Sequence, residues 1–373
     1  MIAADPHQGG ATWAVLQYVV GFQELGHEVF FVEPIPDKPR QSNQSLSDSE
    51  NARYFSQVAS EFGFLANAAL LREETHETVG IPYEKLKELT GEIDMLVNVS
   101  GMLTDVGLIG SIPIRVYLDL DPGFIQIWQS EYQIDMRFAA HTHFVTVGQG
   151  IGTLECPIPT CGLSWLATWQ PIVFDHWPIA SNLTHDAFTT IANWRGYGSV
   201  EYRGLHYGQK AHSWRQFFSL PKLTGETFSP ALAIHPGEID DIKQLVENDW
   251  RLLDPQSETA TPASYQAFIQ GSKAELGIAK SGYVVSQSGW LSDRSVCYLA
   301  SGRPVLAQET GFSKFLPTGE GLLTFQDLTE AQAGVAEICG HYKKHRAAAR
   351  ALAVEYFDSK KVLTQFLIGV GAQ

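Results

Sequence analysis

Ser292, Asp293, Arg294 and Ser295 stand together at the start of a short apolar-periodic segment, and their order is chemically unusual. Ser292 or Asp293 suits the position ahead of a helix, where a side-chain oxygen satisfies an unpaired backbone N–H. Arg294 on the first helical turn opposes the helix dipole, and a bound anion at that point would remove the penalty. The four residues therefore read as one wall of a phosphate-type site, because a polar loop feeding a helix N-terminus is suited to anions. Glu275 and Lys280 lie just upstream with opposite charges, although five residues is not an ideal helical spacing and a structural salt bridge is the competing account.

Other candidates follow strand-like segments. His7-Gln8-Gly9-Gly10 precedes a helix, and paired glycines let backbone N–H groups approach an anion closely, with a tight turn as the alternative. Asp119 ends a strand and could act as a base or hold a hydroxyl, whereas Asp121, in Asp-Pro-Gly, reads first as turn chemistry. Arg195, in Asn193-Trp194-Arg195-Gly196, could meet a pyrophosphate, and His235 sits similarly before Pro236-Gly237. His141 and His143 alternate across an extended segment, so they lack the spacing of a helical zinc pair and no metal site is expected.

These residues need elements to hold them. Apolar periodicity predicts a helix over 12–25, stopped by Gly26-His27, and a strand over 28–33. A loop, helix and strand in that order normally follow a first strand, and only residues 1–4 stand where it would be. The expectation is that this strand is truncated: the chain begins late, or its core tolerates the loss. Polar residues 38–50 read as a surface loop, 51–71 and 84–90 as helices, and 94–99, 112–120 and 143–147 as strands. Residues 156–178, with four prolines and three tryptophans, read as an ordered linker.

A second alternation follows. Strands are expected at 188–192, 231–235, 250–253, 305–307 and 321–325, and helices at 214–219, 238–248, 293–300, 329–338 and 343–367. Strands alternating with helices indicate βαβ units and mainly parallel sheets. The chain thus divides into 1–180, 181–350 and a terminal helix over 351–373 long enough to return to the first domain.

Bulk properties exclude several classes. Of 373 residues, 41 are acidic and 26 basic, giving a net charge of −15 that argues against general affinity for nucleic acid or anionic membrane. Cys156, Cys161, Cys297 and Cys339 form no CxxC pair and are too few for a disulfide scaffold, so a reduced, cytoplasmic setting is expected. No apolar run long enough to span a bilayer and no basic-then-apolar leader is present.

Two motifs carry a resemblance. Gly9-Gly10 with Gly26-His27-Glu28-Val29, and Gly289 with Ala300-Ser301-Gly302-Arg303-Pro304-Val305-Leu306, are similar to patterns of nucleotide-sugar glycosyltransferases of family 1/4-like type. The resemblance implies the GT-B architecture: α/β, two Rossmann-like domains facing a central cleft. It implies a metal-independent transferase taking a UDP-, GDP- or dTDP-sugar. Arg195, His235, Glu275, Lys280 and Ser292, Asp293, Arg294 and Ser295 would hold the donor. Gln8, Gly9 and Gly10 would form the anion or acceptor loop, with His7 and Asp119 as catalytic candidates. Retaining members of that family carry two glutamates eight residues apart, and those positions here hold Gly289 and Cys297. That departure keeps two other readings in view, a non-catalytic ligand-binding protein of this fold and an enzyme similar to UDP-GlcNAc epimerases. The partners expected are a small-molecule nucleotide sugar and an acceptor, whose identity is left open along with the oligomeric state.

Overall fold

The computed structural model describes residues 1–35 and 45–372, so the loop expected at 38–50 lies outside the described residues up to position 44. The first half contains α1 (Gly9–Glu24), β1 (Phe31–Ile35), α2 (Glu50–Glu61), β2 (Ala68–Arg72) and β3 (Glu77–Gly80). It continues with α3 (Tyr83–Leu89), β4 (Met95–Val99), α4 (Val106–Ile109), β5 (Ile114–Asp119), α5 (Phe124–Ser130), β6 (His143–Thr146) and β7 (Trp165–Ala167).

The second half opens with β8 (His185–Asn193), the hairpin β9 (Val200–Tyr202) and β10 (Leu205–Tyr207), then α6 (Lys210–Trp214), α7 (Leu220–Thr224) and β11 (Phe228–Ala233). Next come α8 (Ile239–Glu247), α9 (Pro255–Thr259), α10 (Pro262–Gly271), β12 (Ser272–Gly277), α11 (Ser281–Ser286) and α12 (Asp293–Ala300). β13 (Val305–Gln308), β14 (Leu322–Phe325), α13 (Leu328–Gly340), α14 (Tyr342–Tyr356) and α15 (Ser359–Val370) complete it.

The two halves solve the sheet problem differently. In the second, five strands form one parallel sheet in the order β11-β8-β12-β13-β14. In the first, β4-β5-β6-β7 make a parallel sheet, and β1-β2-β3 make a separate one in which β3 runs antiparallel. Among the described residues no strand precedes α1, and β1 does not pair with β4. A cavity of about 600 Å³ lies between those two strands, bordered by Met1 and by the apolar face of α1.

Local chemistry explains where expectation and structure part. Residues 62–71 do not continue the helix: Gly63 takes a positive φ of 77°, and Ala68–Arg72 pairs with β1 as a buried strand. The expected linker over 156–178 contributes β7 to the first sheet. The single helix expected over 343–367 breaks at Phe357-Asp358, where the Asp358 carboxylate accepts from Lys360 N and starts α15 afresh. Residues 250–253 make only isolated bridges to β11. α12 has the expected bounds, and Gly302 ends it with a φ of 67°, a backbone angle that side chains disfavour.

The halves are closed against each other. Side chains of α1 and α2, such as Trp13, Leu16 and Phe55, share a continuous buried cluster with Val296, Tyr298 and Leu299 of α12. Trp13 Nε1 donates to Pro262 O at 2.8 Å, and Gly150 N donates to Ser288 O at 2.8 Å. α15 returns to α1, with Phe366 edge-on to Phe22 at 5.9 Å between ring centres. Arg303, fully buried beside the end of α12, donates to Asn182 O at 2.7 Å and Gln270 O at 3.0 Å, tying that end to the start of the second half.

Candidate functional site

In open α/β sheets ligands bind beyond the carboxyl ends of the strands, and here the ends of β5, β8 and β12 supply most of the charged groups. The tightest cluster crosses between the halves. Asp121, two residues beyond β5, accepts from Tyr283 through one oxygen and from Tyr197 through the other. Lys280 Nζ lies 3.5 Å from that second oxygen and also donates to the Tyr197 hydroxyl. It sits 3.9 Å from the Tyr197 ring centre, and Trp290 stacks on Tyr283 at 4.0 Å. Burial lowers the Lys280 pKa, opposed by the Asp121 charge. Burial and Asp121 together push the Tyr197 and Tyr283 hydroxyls upward, so both stay protonated donors.

A narrow cleft beside this cluster is lined by Gly277, Ala279, Trp290, Ser292, Arg294 and Gln308. Two more cations lie near it. Arg294 Nε donates to Glu275 Oε1 at 2.6 Å, and Nη1 donates to Ile191 O at 2.8 Å. Lys210 is buried, donates to Ile278 O and feels the charges of Arg294 and Lys280, so its pKa falls well below the ordinary lysine value, chiefly through burial. Among the buried polar atoms without protein partners are Glu275 Oε2, on the carboxylate that pairs with Arg294, Ser281 Oγ at the start of α11 and Ser288 Oγ just beyond its end. Unpaired buried polar atoms are costly, and a bound polar ligand is one way to satisfy them. The site is therefore cationic, aromatic-walled and short of hydrogen-bond partners.

The structure redistributes the roles expected from sequence. Glu275 pairs with Arg294, not Lys280, because the strand β12 aims its side chain at α12 while Lys280 turns toward Asp121. Asp119 is fully buried and accepts from Asp121 N at 2.9 Å, Gln126 Nε2 at 2.7 Å and Thr146 Oγ1 at 2.8 Å. Burial pushes its pKa up to about 6 against those hydrogen bonds. It is a strut that shapes the corner carrying Asp121, whose partly buried carboxylate is the one that reaches across to the second half. Ser292 precedes α12 but its hydroxyl makes no cap, lying 3.4 Å from Asp293 Oδ1. Asp293 has its pKa raised by burial, opposed by Arg294, and Ser295 is buried.

The remaining candidates sit apart. Arg195 is half exposed and engaged with Glu238 at the start of α8. His235 is exposed, its Nδ1 accepting from Gly237 N at 3.0 Å in a turn. His7 lies 2.8 Å from Glu50 and edge-on to the Tyr54 ring, not beside Asp119. Gln8 precedes α1 without capping it. At Gly9 a Cβ would meet the carbonyl oxygens of Thr261 and Thr259 at 2.4 and 2.5 Å, and at Gly10 the Tyr265 ring at 2.8 Å. The glycine pair thus permits close packing on α10, whatever else it does.

Glu337, His341 and His345 bring possible metal-ligand atoms within 4.8 Å of one another. His345 Nδ1 accepts from Gly321 N at 3.2 Å, which leaves its Nε2 protonated and donating to Glu337 at 3.3 Å. A metal would need the lone pair that this proton occupies.

Sequence reasoning missed Tyr197, Lys210, Tyr283 and Trp290 and ranked Asp121 below Asp119. The available signal was the run of Tyr and Gly residues over 196–208, which reads as an ordinary hairpin until its partner 159 residues from Asp121, Lys280, is placed.

Residues 240–367 match a family model described as glycosyl transferase-like. No curated protein matches the chain. Among solved structures, HepE from Anabaena in complex with UDP and glucose is similar at a TM-score of 0.59 and 10% identity, covering 98% of this chain and 96% of that one. AviGT4, a glycosyltransferase involved in avilamycin A biosynthesis, gives 0.50 and 13%, with coverage of 99% and 91%. Sucrose-phosphate synthase from Thermosynechococcus elongatus gives 0.50 and 9%, with coverage of 91% and 97%. At such identities the likeness establishes the fold: the chain has the GT-B arrangement of two α/β domains, with a glycosyl transferase-like region in the second.

Proposed function

We propose that the protein is a glycosyltransferase that takes a sugar from a nucleotide-diphosphate donor. The observation that carries this reading is the grouping of three cations beside the cleft that Arg294 lines, with Lys210 close enough to feel the charges of both Arg294 and Lys280. Loss of a nucleoside diphosphate builds negative charge on the leaving phosphate, and preorganised cations in a water-poor site stabilise it. Partly desolvated lysines suit that task, since an arriving anion restores the stabilisation their ammonium groups lost on burial. Trp290, backed by the buried ring of Tyr283, offers a flat apolar face for a sugar ring or base.

Asp121 is the group best placed to meet an acceptor hydroxyl, as a base or as a hydrogen-bond acceptor, and Asp119 positions it. A UDP-sugar is the first donor to test, because HepE was crystallised with UDP and with UDP-glucose. Saturation-transfer NMR with UDP-, GDP- and dTDP-sugars reads binding directly. One of them is expected to bind, with affinity falling about tenfold or more in Lys280→Gln, given ~1.5–3 kcal/mol for a charged hydrogen bond. Binding of none would end the reading.

A second reading, a nucleotide-binding protein without turnover, is supported by Gly289 and Cys297, where the resembling family has carboxylates. Cys297 is buried, and burial raises its thiol pKa well above the ordinary value, so it supplies no negative charge. Donor binding without transfer or hydrolysis would favour this second reading.

A further inference from the structure

The cleft that Arg294 lines encloses only about 10 Å³, room for one water molecule at most. A diphosphate does not fit it as it stands, so a contact beside it must give way first. Two residues of the lining lead to that contact. Trp290 stacks on Tyr283, and Ala279 immediately precedes Lys280, so the cleft adjoins the cluster around Asp121.

The members of that cluster divide between the halves. Lys280, Tyr197 and Tyr283 belong to the second half and bring one ammonium and two hydroxyl donors to a point. The carboxylate they meet belongs to the first half. Among the described residues, those three give every side-chain hydrogen bond that the Asp121 oxygens accept. The first half holds Asp121 through its backbone, whose N–H donates to Asp119 Oδ1 at 2.9 Å. Convergent donors of this kind are a seat for an oxyanion, and here the opposite rim of the cleft supplies one. The seat does not depend on its occupant, because the Lys280 ammonium lies 3.9 Å and 5.2 Å from the ring centres of Tyr197 and Tyr283.

The neighbouring pair, Glu275 with Arg294, is built differently. Both partners belong to the second half, and the Glu275 side chain is 0% exposed, so parting them would strand a buried charge. The Asp121 and Lys280 side chains are each 22% exposed, so a released Asp121 carboxylate can be met by solvent or by an acceptor. We infer that Asp121 is an internal competitor of the donor: its carboxylate occupies the Lys280 seat in the free protein, and an arriving diphosphate takes that seat and expels it. The inference rests on the reading of this cleft as a nucleotide-diphosphate site. Two anions on one ammonium repel each other, which drives the exchange. While seated, the carboxylate has its oxygens covered by three donors. It becomes available to an acceptor hydroxyl only after the diphosphate has displaced it.

The test is a calorimetric titration with UDP and, separately, with inorganic pyrophosphate. It uses the wild type, Asp121→Asn, Lys280→Gln and the double variant. Asparagine keeps the turn chemistry ahead of Pro122-Gly123 and removes only the charge. Asp121→Asn is expected to bind both probes more tightly, by about threefold to tenfold, the range for a partly buried ion pair. Loss of an ordinary binding residue would act in the opposite direction. In the Lys280→Gln background the same substitution is expected to change affinity little. Asp121→Ala should tighten binding by a similar factor, and near-ultraviolet circular dichroism checks that each variant keeps its packing. Equal tightening with and without Lys280 would make Asp121 a merely repulsive neighbour and overturn the inference. Unchanged or weaker binding by Asp121→Asn would also overturn it, while wild-type binding of UDP would leave the transferase reading standing. Binding of neither probe by the wild type or by Asp121→Asn would end both.

Discussion

The two halves of this molecule were built from similar sequence material and reached different ends. In the second half the strands are contiguous, and Trp194, Trp214 and Phe228 pack beside them as buried side chains of one core. In the first half a cavity of about 600 Å³ lies between β1 and β4, lined largely by apolar side chains that do not fill it. The difference teaches where precision is needed. The half that would hold a diphosphate has its cations fixed by strand ends and buried carbonyls, whereas the other half keeps its cleft-facing corner in order through β5, β6 and Gln126 of α5.

That contrast can be broken first by cavity-making substitutions. Trp214→Ala in the filled core is expected to cost about 3–5 kcal/mol. Val97→Ala, beside the existing hollow, removes fewer packed contacts and is expected to cost under about 1 kcal/mol. Urea unfolding of both variants measures the pair, and equal losses would show that the first sheet is packed as well as the second.

The next largest effect is a pH dependence assigned to Asp119. Its folded pKa of about 6 lies above the ordinary 3.8, so the folded state binds more protons between those values. Stability contributed by the protonated form is therefore present below the unfolded pKa and falls as pH rises through the window, by about 3 kcal/mol in all. Urea midpoints from pH 4 to 7 should decline in the wild type, and the slope should flatten in Asp119→Asn. An unchanged slope would place the titration elsewhere.

Gly9→Ala probes the contact between halves. The new methyl would press on the Thr259 and Thr261 carbonyls, which must shift, and overpacking of this kind costs about 1–3 kcal/mol. Arg195→Ala is the smallest expected effect. Its pair with Glu238 is largely exposed, so the stability change should stay within about 1 kcal/mol, and nucleotide affinity should fall less than in Lys280→Gln. A larger affinity loss at Arg195 would restore it to the donor site.

Much of this was legible from sequence for identifiable reasons. α12 was readable to the residue because Val296, Leu299 and Ala300 keep helical spacing and Gly302 stops it. β2 and β12 were not, since Ala-Ala-Leu-Leu-Arg and Ser-Lys-Ala-Glu-Leu-Gly contain no β-branched residue and become strands only through their neighbours. Asp121 was hidden by its own turn sequence, and Lys280 by an apparent partner, Glu275, that the fold gives to Arg294. Local pattern locates elements, but the pairing of charges across a cleft is set by tertiary placement.

α1 has one further consequence. One side of this helix borders the cavity through Val15, Val19 and Phe22, and Gln17 and Tyr18 lie close enough to α12 to feel, or be felt by, Cys297 and Asp293. Two sites that lean on one rigid rod share its equilibrium position. If an occupant of the cavity prefers one setting of α1, the affinity of the cleft for its ligand must change by some factor, and the ligand must change retention of that occupant by the same factor. Measuring either one therefore reports the other.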